Sequence, residues 1–198
     1  MCTWPTPRQC DRLPVTSVMA CFLVSWLMQK ILILGDETLR QKAEAVPGLD
    51  SRDRRGYDEA KWSAAAQDML TALQDGKGVG LAGPQIGLPN RIFVTNVQND
   101  MPRVFINPSI IGTSQETAKY EEGCLSIPGT WADVIRPKTV KVQAWNEKGR
   151  SFTLEAGGIL ARVILHEYDH LEGVLFIDRL SEVKRKRILD KIAKKAKA

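Results

Sequence analysis

His166-Glu167-Tyr168-Asp169-His170 contains both histidines of this 198-residue chain. A separation of four residues is about one helical turn, so the two imidazoles face the same side of a helix and can bind one metal ion. The apolar residues 163–165 precede the pair, and a helix is predicted over Gly158–Leu171. Glu167 lies at the edge of the metal-binding face, where its carboxylate can take a proton from a water molecule. The segment therefore predicts a metal-dependent hydrolase.

A catalytic metal site usually has a third protein ligand, and the sequence offers candidates on both sides of the histidines. Downstream, Asp178 and Glu182 follow the apolar residues 174–177, which are predicted to form a strand or a turn. Upstream, Cys124 stands alone, since the other three cysteines lie within the first 28 residues. This spacing argues against a disulfide scaffold and for a reducing compartment. It favours the Cys124 thiolate as the third ligand over a small buried thiol.

A glycine-rich segment at residues 78–87 matches neither the dinucleotide-binding nor the nucleotide-binding fingerprint. No Gly-Lys-Ser/Thr follows it, and Pro84 and Gln85 stand where a helix would begin, so no nucleotide cofactor is expected. Taken alone, the segment is more typical of a plain Gly/Pro turn before a strand. Beside a metal site, it is interpreted as a loop whose backbone near Val79 and Gly80 approaches a substrate, with Gln85 as a neutral donor.

Together the three segments resemble the peptide deformylases, which remove the formyl group from the N-terminal formylmethionine of new bacterial or organellar proteins. The family motifs G-x-G-L-A-A-x-Q, E-G-C-L-S and H-E-x-D-H-L-x-G occur here in that order, at residues 78–85, 122–126 and 166–173. One motif position departs from the pattern: Gly83 replaces the usual alanine, which adds backbone freedom but removes no functional group. The resemblance extends from about Ile31 to the C-terminus.

The resemblance implies a site and a cofactor. The expected ligands of one divalent ion are Cys124, His166 and His170. In this family the ion is often Fe2+ in cells, with Zn2+, Ni2+ and Co2+ as alternatives. Glu167 would then carry the proton from water to the leaving amine, while the Gln85 amide and the backbone N–H of Leu125 meet the developing oxyanion. The substrate would be a nascent formylmethionyl peptide.

Three apolar residues are predicted to form the slot for the methionine side chain: Ile159 and Val163 from the metal helix and Val79 from the glycine loop. Arg162 is expected to line the slot with its stem while its guanidinium reaches solvent at the mouth. The alternative is that Ile159 and Val163 are ordinary core residues and Arg162 is a surface charge.

A polar pair is predicted behind the metal site. Asp169 adjoins a ligand and is expected to face into the protein, where an unpaired carboxylate is costly. Arg136, which follows the Cys124 motif, is the expected partner.

The predicted architecture is α+β, with short antiparallel sheets packed around the central metal-binding helix and a basic helix at the C-terminus. A capped short helix is predicted at residues 36–40 and a longer one at 57–74, with Trp62, Ala65, Met69 and Leu73 on its apolar face. Strands are predicted at 91–97, 103–107, 139–145 and 151–156, the last two joined by a hairpin turn at 146–149.

The two ends of the chain differ from the middle. Residues 1–28 are interpreted as an extension from a mis-assigned start codon in preference to a targeting or anchoring segment, because the apolar stretch at 15–27 is short for a membrane span and lacks a cleavage pattern. Residues 29–198 are then expected to be a single catalytic domain in the cytoplasm, with no membrane association.

The C-terminal residues 182–198 contain eight basic and two acidic side chains, which account for the net charge of +5 over the whole chain. Ile188, Leu189, Ile192 and Ala196 share one face, so an amphipathic basic helix is predicted. Such a helix either packs on the core as a solvated terminal element or contacts ribosomal RNA.

Two other functional classes stay open from the sequence. One is a general metallopeptidase that uses Asp178 or Glu182 as the third ligand. The other is a non-catalytic ribosome-binding relative, against which the presence of Glu167, Gln85 and all three ligands argues.

Overall fold

The computed structural model describes residues 30–49 and 55–195, so the interpretation of residues 1–28 lies outside the described residues. The helices are α1 (Glu59–Asp75), α2 (Gly158–Leu171) and α3 (Glu182–Lys195). The strands are β1 (Gly80–Ala82), β2 (Ile92–Thr95), β3 (Arg103–Thr113), β4 (Thr117–Cys124), β5 (Ile127–Pro137), β6 (Thr139–Trp145) and β7 (Ser151–Gly157). Short 3-10 helices lie at Glu37–Arg40, Gly83–Ile86 and Phe176–Arg179.

The strands form two antiparallel sheets, which confirms the predicted α+β class. One sheet has five strands in the order β1-β2-β3-β6-β7, and the other is the pair β4-β5. Helix α2 packs against the larger sheet through Ala161, Ile164 and Leu171, which share a buried cluster with Phe93 and Phe105. The metal helix is therefore the central element of the described fold.

Helix α1 begins and ends close to the predicted bounds, and its first turn is fixed by a cap at the N-terminus. The Asp58 carboxylate accepts a hydrogen bond from the Lys61 backbone N–H at 2.9 Å, which satisfies one of the free donors of the first turn. The buried face consists of Trp62, Ala66, Met69 and Leu73. Ala66 is the fully buried alanine of this face, and the predicted Ala65 is half-buried and packs against the same cluster.

The predicted hairpin at the end of the larger sheet is confirmed. Strand β6 has the predicted bounds, and β7 is one residue longer than predicted. In the turn, the Gly149 N–H donates to the Asn146 carbonyl at 2.9 Å, and the φ of Gly149 is 66°, a conformation that favours glycine.

The β4-β5 pair was not predicted, although it carries Cys124. Glu122 and Arg136 are buried on its inner face. At these two positions the sequence therefore lacks the alternation of buried apolar and exposed polar residues that indicates a strand. The register shifts between Gly123 and Cys124. This irregularity interrupts the pairing beside the cysteine, as bulges commonly do next to functional sites.

The C-terminal part also departs in detail from the prediction. Residues 174–177 lead into the 3-10 helix Phe176–Arg179 and do not form a strand. Helix α3 then packs Ile188 and Ile192, both half-buried, against the cluster around Phe176. Leu189, predicted for the same face, is exposed, and Ala196 lies beyond the described residues. No helix in the described part of the chain is long and apolar enough to cross a membrane.

Candidate metal centre

Helix α2 and strand β4 bring three potential ligands together. The side-chain donor atoms of Cys124, His166 and His170 all lie within 4.8 Å of one another. The Cys124 Sγ is 3.2 Å from His170 Nε2. Both histidines are buried, with exposed fractions of 8% and 1%. Neither Asp178 nor Glu182 belongs to this cluster of donors.

The donor set fits a divalent metal ion. Ligands about 2.0–2.3 Å from a tetrahedral ion lie roughly 3.3–3.8 Å apart, so the three atoms need only small adjustments to share one ion. A thiolate with two imidazoles suits Fe2+, Co2+, Ni2+ and Zn2+ better than Mg2+ or Ca2+. Beside the ligands, Glu167 Oε2 is buried without a hydrogen-bond partner among the described residues, which leaves one carboxylate oxygen free for a water molecule.

Asp178 is occupied elsewhere. Its carboxylate accepts a hydrogen bond from the Leu175 N–H at 2.8 Å and forms ion pairs with Arg40 and Arg185. The residue therefore joins the 3-10 helix to α3 and is not a metal ligand in this arrangement.

Glu122 orients His166 from behind. Its Oε2 is 2.9 Å from His166 Nδ1. Because an ionised carboxylate only accepts hydrogen bonds, Nδ1 carries a proton, and Nε2 is the ring nitrogen that a metal ion can bind. Burial alone would raise the pKa of Glu122, but its bonds to His166 and Arg136 hold that pKa well below the usual range. Carboxylates in this position fix the tautomer of a metal-binding histidine.

The pKa values of the buried groups diverge because each has a different neighbour. Burial lowers the pKa of His166, but hydrogen bonds to Cys124 and Glu122 outweigh it and raise the pKa to about 10. Burial and the nearby His166 hold the pKa of His170 well below its ordinary value. Burial raises the pKa of Glu167 to about 7. An ion that binds here must displace a proton, as metal binding to histidine generally does.

Asp169 pairs with Arg136, as the sequence predicted. The Arg136 Nη1 donates to Asp169 Oδ2 at 2.7 Å, and Arg179 adds a second ion pair to the same carboxylate at 2.5 Å. Both Asp169 and Arg136 are 5% exposed. The pair attaches α2 to β5 directly behind the metal ligands.

The prediction for Arg162 was wrong. Its guanidinium does not reach solvent; the residue is 7% exposed and donates to Glu122 and to the backbone of both β4 and β5. The error arose because helical spacing indicates which face a side chain occupies, whereas the unpredicted β4-β5 pair supplies the acceptors that draw the guanidinium inward.

The side-chain amide of Gln85 points at the sulfur of Cys124. Its Oε1 accepts a hydrogen bond from the Ala82 N–H at 2.8 Å, which fixes the orientation of the amide. The Nε2 group then lies 3.4 Å from Cys124 Sγ and 3.2 Å from Ser126 Oγ. Gln85 is 1% exposed, so it offers a buried and oriented donor beside the candidate ligands.

The glycine segment approaches α2 too closely for a side chain. A Cβ on Gly80 would lie 2.3 Å from Glu167 Oε1 and 2.6 Å from Val163 Cγ1. At position 83, where glycine replaces the alanine of the motif, a Cβ would lie 2.8 Å from the Leu88 carbonyl oxygen. Both glycines are therefore required by the close approach of backbone or side chains in this chain.

A cavity of about 510 Å³ opens over the site. Its wall includes the three residues of the predicted slot, Val79, Ile159 and Val163. Gly80, Leu125 and Glu167 also line it. Val163 is 5% exposed, whereas Val79 and Ile159 are about half exposed. The cavity thus runs from the buried Val163 to an exposed mouth beside Val79 and Ile159.

Comparison with known proteins assigns this arrangement to a family. The model of the polypeptide deformylase family matches residues 28–186. The chain belongs to the polypeptide deformylase family. The peptide deformylase of Agrobacterium fabrum is 41% identical over 175 residues, covering 86% of this chain and 98% of that protein. The peptide deformylase of Neisseria meningitidis is 43% identical over 169 residues, covering 84% and 95%.

Solved deformylase structures share the fold. A peptide deformylase from Synechococcus elongatus in complex with actinonin has a TM-score of 0.74 at 38% identity, covering 83% of this chain and 86% of that chain. The Thermotoga maritima peptide deformylase has a TM-score of 0.70 at 40% identity, covering 78% and 98%. The chain is accordingly a metal-dependent hydrolase with peptide deformylase activity, which removes the formyl group from nascent N-formylmethionyl polypeptides.

Glu122 is the residue of this deformylase site that sequence reasoning missed, whereas Arg162 was placed at the site but given the wrong partners. Glu122 was visible as the first residue of the E-G-C-L-S motif, but nothing in one sequence shows that its carboxylate reaches a histidine on another element. Glu122 and His166 are separated by 44 residues in the chain, and only the tertiary fold brings their side chains to within 2.9 Å.

Proposed function

We propose that Cys124, His166 and His170 hold one divalent ion, with Fe2+ as the ion used in cells. The observation that carries this assignment is the convergence of one sulfur and two imidazoles within 4.8 Å of one another, with Cys124 and His166 on the wall of the cavity. Zn2+, Ni2+ and Co2+ suit the same ligands. When bound, the ion polarises the formyl carbonyl and makes water more acidic.

Glu167 moves the proton. Its carboxylate is buried beside the ligands with Oε2 unpaired, and its raised pKa of about 7 suits a group that must both accept and return a proton near neutral pH. Glu167 takes a proton from the attacking water and delivers it to the nitrogen of the leaving amine. Formate and a free methionyl N-terminus are the products.

Gln85 and Leu125 stabilise the negative charge that develops on the formyl oxygen. The Gln85 Nε2 donor is already oriented by the Ala82 N–H. The backbone N–H of Leu125 follows Cys124 directly in the chain, at the point where β4 ends. Donors held in place before the reaction cost no reorganisation during it.

Val79, Gly80, Ile159 and Val163 bind the substrate. The buried Val163 and the half-exposed Val79 and Ile159 all line the wall of the cavity. An apolar cavity of this kind suits an unbranched methionine side chain. The absence of a Cβ at Gly80 lets the carboxylate of Glu167 lie close to the backbone of the loop that would bind the substrate.

Formate release from formyl-Met-Ala-Ser tests the assignment. We expect activity that is lost after metal removal and restored by Fe2+ under anaerobic conditions, and elemental analysis of anaerobically purified protein should identify the ion. Metal analysis showing a full complement of Zn2+ in active protein from cells would contradict Fe2+. Cleavage of internal peptide bonds without formate release would instead indicate a general metallopeptidase.

We also propose that residues 29–198 are the catalytic domain and act in the cytoplasm. The Leu32 N–H donates to the Gln85 carbonyl at 2.7 Å, and the Leu34 N–H donates to the Ser126 carbonyl at 2.8 Å. The segment just after Met28 therefore supports both the glycine loop and the cysteine motif. A chain that begins at Met28 should retain full activity, whereas one that begins at Asp36 should lose activity and stability.

A second proposal concerns helix α3, which would contact ribosomal RNA. Its support is the exposure of Lys184, Lys186, Lys191 and Lys194 while Ile188 and Ile192 fasten the helix to the core. Clustered, solvated lysines attract a polyanion such as RNA. Cosedimentation with ribosomes at increasing salt concentration measures this contact.

A further inference from the structure

Arg162 has more polar contacts than its place on the cavity wall requires. It lies one helical turn before His166 on α2, and its Nη1 donates to Glu122 Oε1 at 2.9 Å. The same Nη1 donates to the Val134 carbonyl at 2.9 Å, and Nη2 donates to the Ala118 carbonyl at 2.7 Å. One guanidinium thus joins α2 to both strands of the β4-β5 pair and to one carboxylate.

The charge arrangement gives Arg162 a role distinct from that of Arg136. Arg136 is shared between two buried carboxylates, Glu122 and Asp169, at 2.7 Å from each. Among the ion pairs of the described residues, Arg162 pairs with Glu122 alone. Without Arg162, Glu122 would depend on a guanidinium that Asp169 also attracts. Two arginines instead fix Glu122 Oε1 from two directions.

The orientation of Glu122 has a direct consequence for the proposed ligand. Arg136 binds both oxygens of the Glu122 carboxylate, with Nε 2.7 Å from Oε1 and Nη2 2.9 Å from Oε2. Arg162 adds a further donor to Oε1, and Oε2 faces His166 Nδ1 at 2.9 Å. The ring of Tyr120 lies 5.4 Å from the Arg162 guanidinium carbon and covers the guanidinium from the side of β4. The fork of a guanidinium can satisfy several acceptors at once, which a lysine ammonium cannot do with the same geometry.

We propose that Arg162 is a positioning residue of the metal centre: it holds the Glu122 carboxylate so that His166 presents Nε2 to the ion. The inference rests on the ligand set proposed above. Residues that orient a metal-binding histidine from behind typically contribute about 10- to 100-fold to metal affinity, so an effect of that size is expected from Arg162.

The test compares metal affinity and the visible absorption spectrum of the Co2+-loaded protein. Arg162→Met should weaken Co2+ binding about 10- to 100-fold in a chelator competition and should shift the absorption bands, because the His166 ring is no longer held. Arg162→Lys should give a smaller loss. Arg103→Met is the matched control, since Arg103 pairs with Asp100 at the end of β3 and should leave both measurements unchanged.

A double-mutant cycle separates positioning from a general structural effect. If Arg162 acts through Glu122, then Glu122→Gln combined with Arg162→Met should bind Co2+ no more weakly than Glu122→Gln alone. Additive losses would overturn the inference, as would wild-type affinity and spectrum in Arg162→Met. Should thermal denaturation show that Arg162→Met does not fold, wild-type affinity and spectrum in Arg162→Lys would overturn it equally.

The ligand assignment can fail independently. If Cys124→Ala and His170→Ala retained wild-type affinity for Co2+, the proposed ligand set would be wrong. If those two variants lost the ion while Arg162→Met retained it with an unchanged spectrum, the ligand set would stand and only the role of Arg162 would be wrong.

Discussion

Helices α2 and α3 are both 14 residues long, but they relate to the rest of the protein in opposite ways. Nine residues of α2 are buried, including Arg162, Glu167 and Asp169, whereas none of the described side chains of α3 is fully buried. Each buried charge of α2 must find a partner or a function, since an isolated buried charge is strongly unfavourable. The charges of α3 remain in water and contribute little individually.

The comparison shows where this deformylase is sensitive to substitution. Around α2, a change of one polar group disturbs its partners on β4 and β5, so the effects are large and coupled. On α3, the proposed contact with RNA would depend on the sum of several charges, so single changes are expected to have small effects.

The largest contrast is between two candidate ligands on either side of α2. Cys124→Ala should lose most of the bound metal and nearly all activity, because two imidazoles alone hold an ion weakly. Asp178→Ala, which alters the connection to α3, should retain metal content close to that of the unaltered protein. Elemental analysis after gel filtration measures both. The opposite pattern would show that the third ligand lies downstream of α2.

Glu167→Gln should leave the metal bound and reduce turnover by about 10²- to 10⁴-fold, because an amide cannot accept the proton of the attacking water. The glutamine keeps the size of the side chain, so the close approach to Gly80 is preserved. Formate release at saturating substrate measures kcat. Near-normal turnover of the metal-loaded variant would exclude Glu167 as the proton carrier.

Ion pairs of the two helices should differ in their contribution to stability. Asp169→Ala removes the buried partner of Arg136, and loss of one member of such a pair typically costs about 3–5 kcal/mol. Arg185→Met removes the half-exposed partner of Asp178 on α3 and should cost about 0–1 kcal/mol. Urea denaturation of the metal-free proteins measures both. Equal losses of stability would mean that burial does not distinguish the two helices.

The sequence predicted α2 to the residue, and the reason is physical. Its bounds coincide with the histidine pattern and the apolar residues around it, and the pairing of Asp169 with Arg136 followed from the cost of burying a lone carboxylate. These inferences need only local spacing and the chemistry of one side chain.

The β4-β5 pair escaped prediction because its inner face combines buried charged residues with buried apolar ones. Glu122 and Arg136 are polar by type but buried by position, so their partners must be known before their burial can be inferred. The inward turn of Arg162 depends on the same strands. Part of the candidate site therefore depends on contacts between residues that are far apart in the chain, and a single sequence does not show such contacts.

Val163→Phe probes the cavity wall of α2. The larger ring should occupy the space of the methionine side chain and lower kcat/KM for formylmethionyl peptides about 10- to 100-fold. Metal content should stay unchanged, because Val163 contacts Gly80 and is not a ligand. Leu189→Phe on the exposed part of α3 serves as the control for added bulk. Unchanged kinetics in Val163→Phe would place the methionine slot elsewhere.

The smallest effect on catalysis is expected from the charges of α3. Replacement of four exposed lysines by glutamine should leave kcat/KM for formyl-Met-Ala-Ser within about twofold, because the α3 lysines are not part of the cavity wall. The four are Lys184, Lys186, Lys191 and Lys194. The same variant should bind ribosomes more weakly and with a shallower dependence on salt, since each phosphate contact that is lost removes about one released counterion.

A matched control carries four glutamines at exposed lysines outside α3: Lys61, Lys119, Lys138 and Lys141. Both variants have the same net charge, so a difference in cosedimentation reports the position of the charges and not their number. If the control loses as much ribosome binding as the α3 variant, the attraction is diffuse and α3 is only a terminal helix packed on the core. If only the α3 variant loses binding while both retain peptide turnover, α2 supplies the chemistry and α3 brings the enzyme to its nascent substrate.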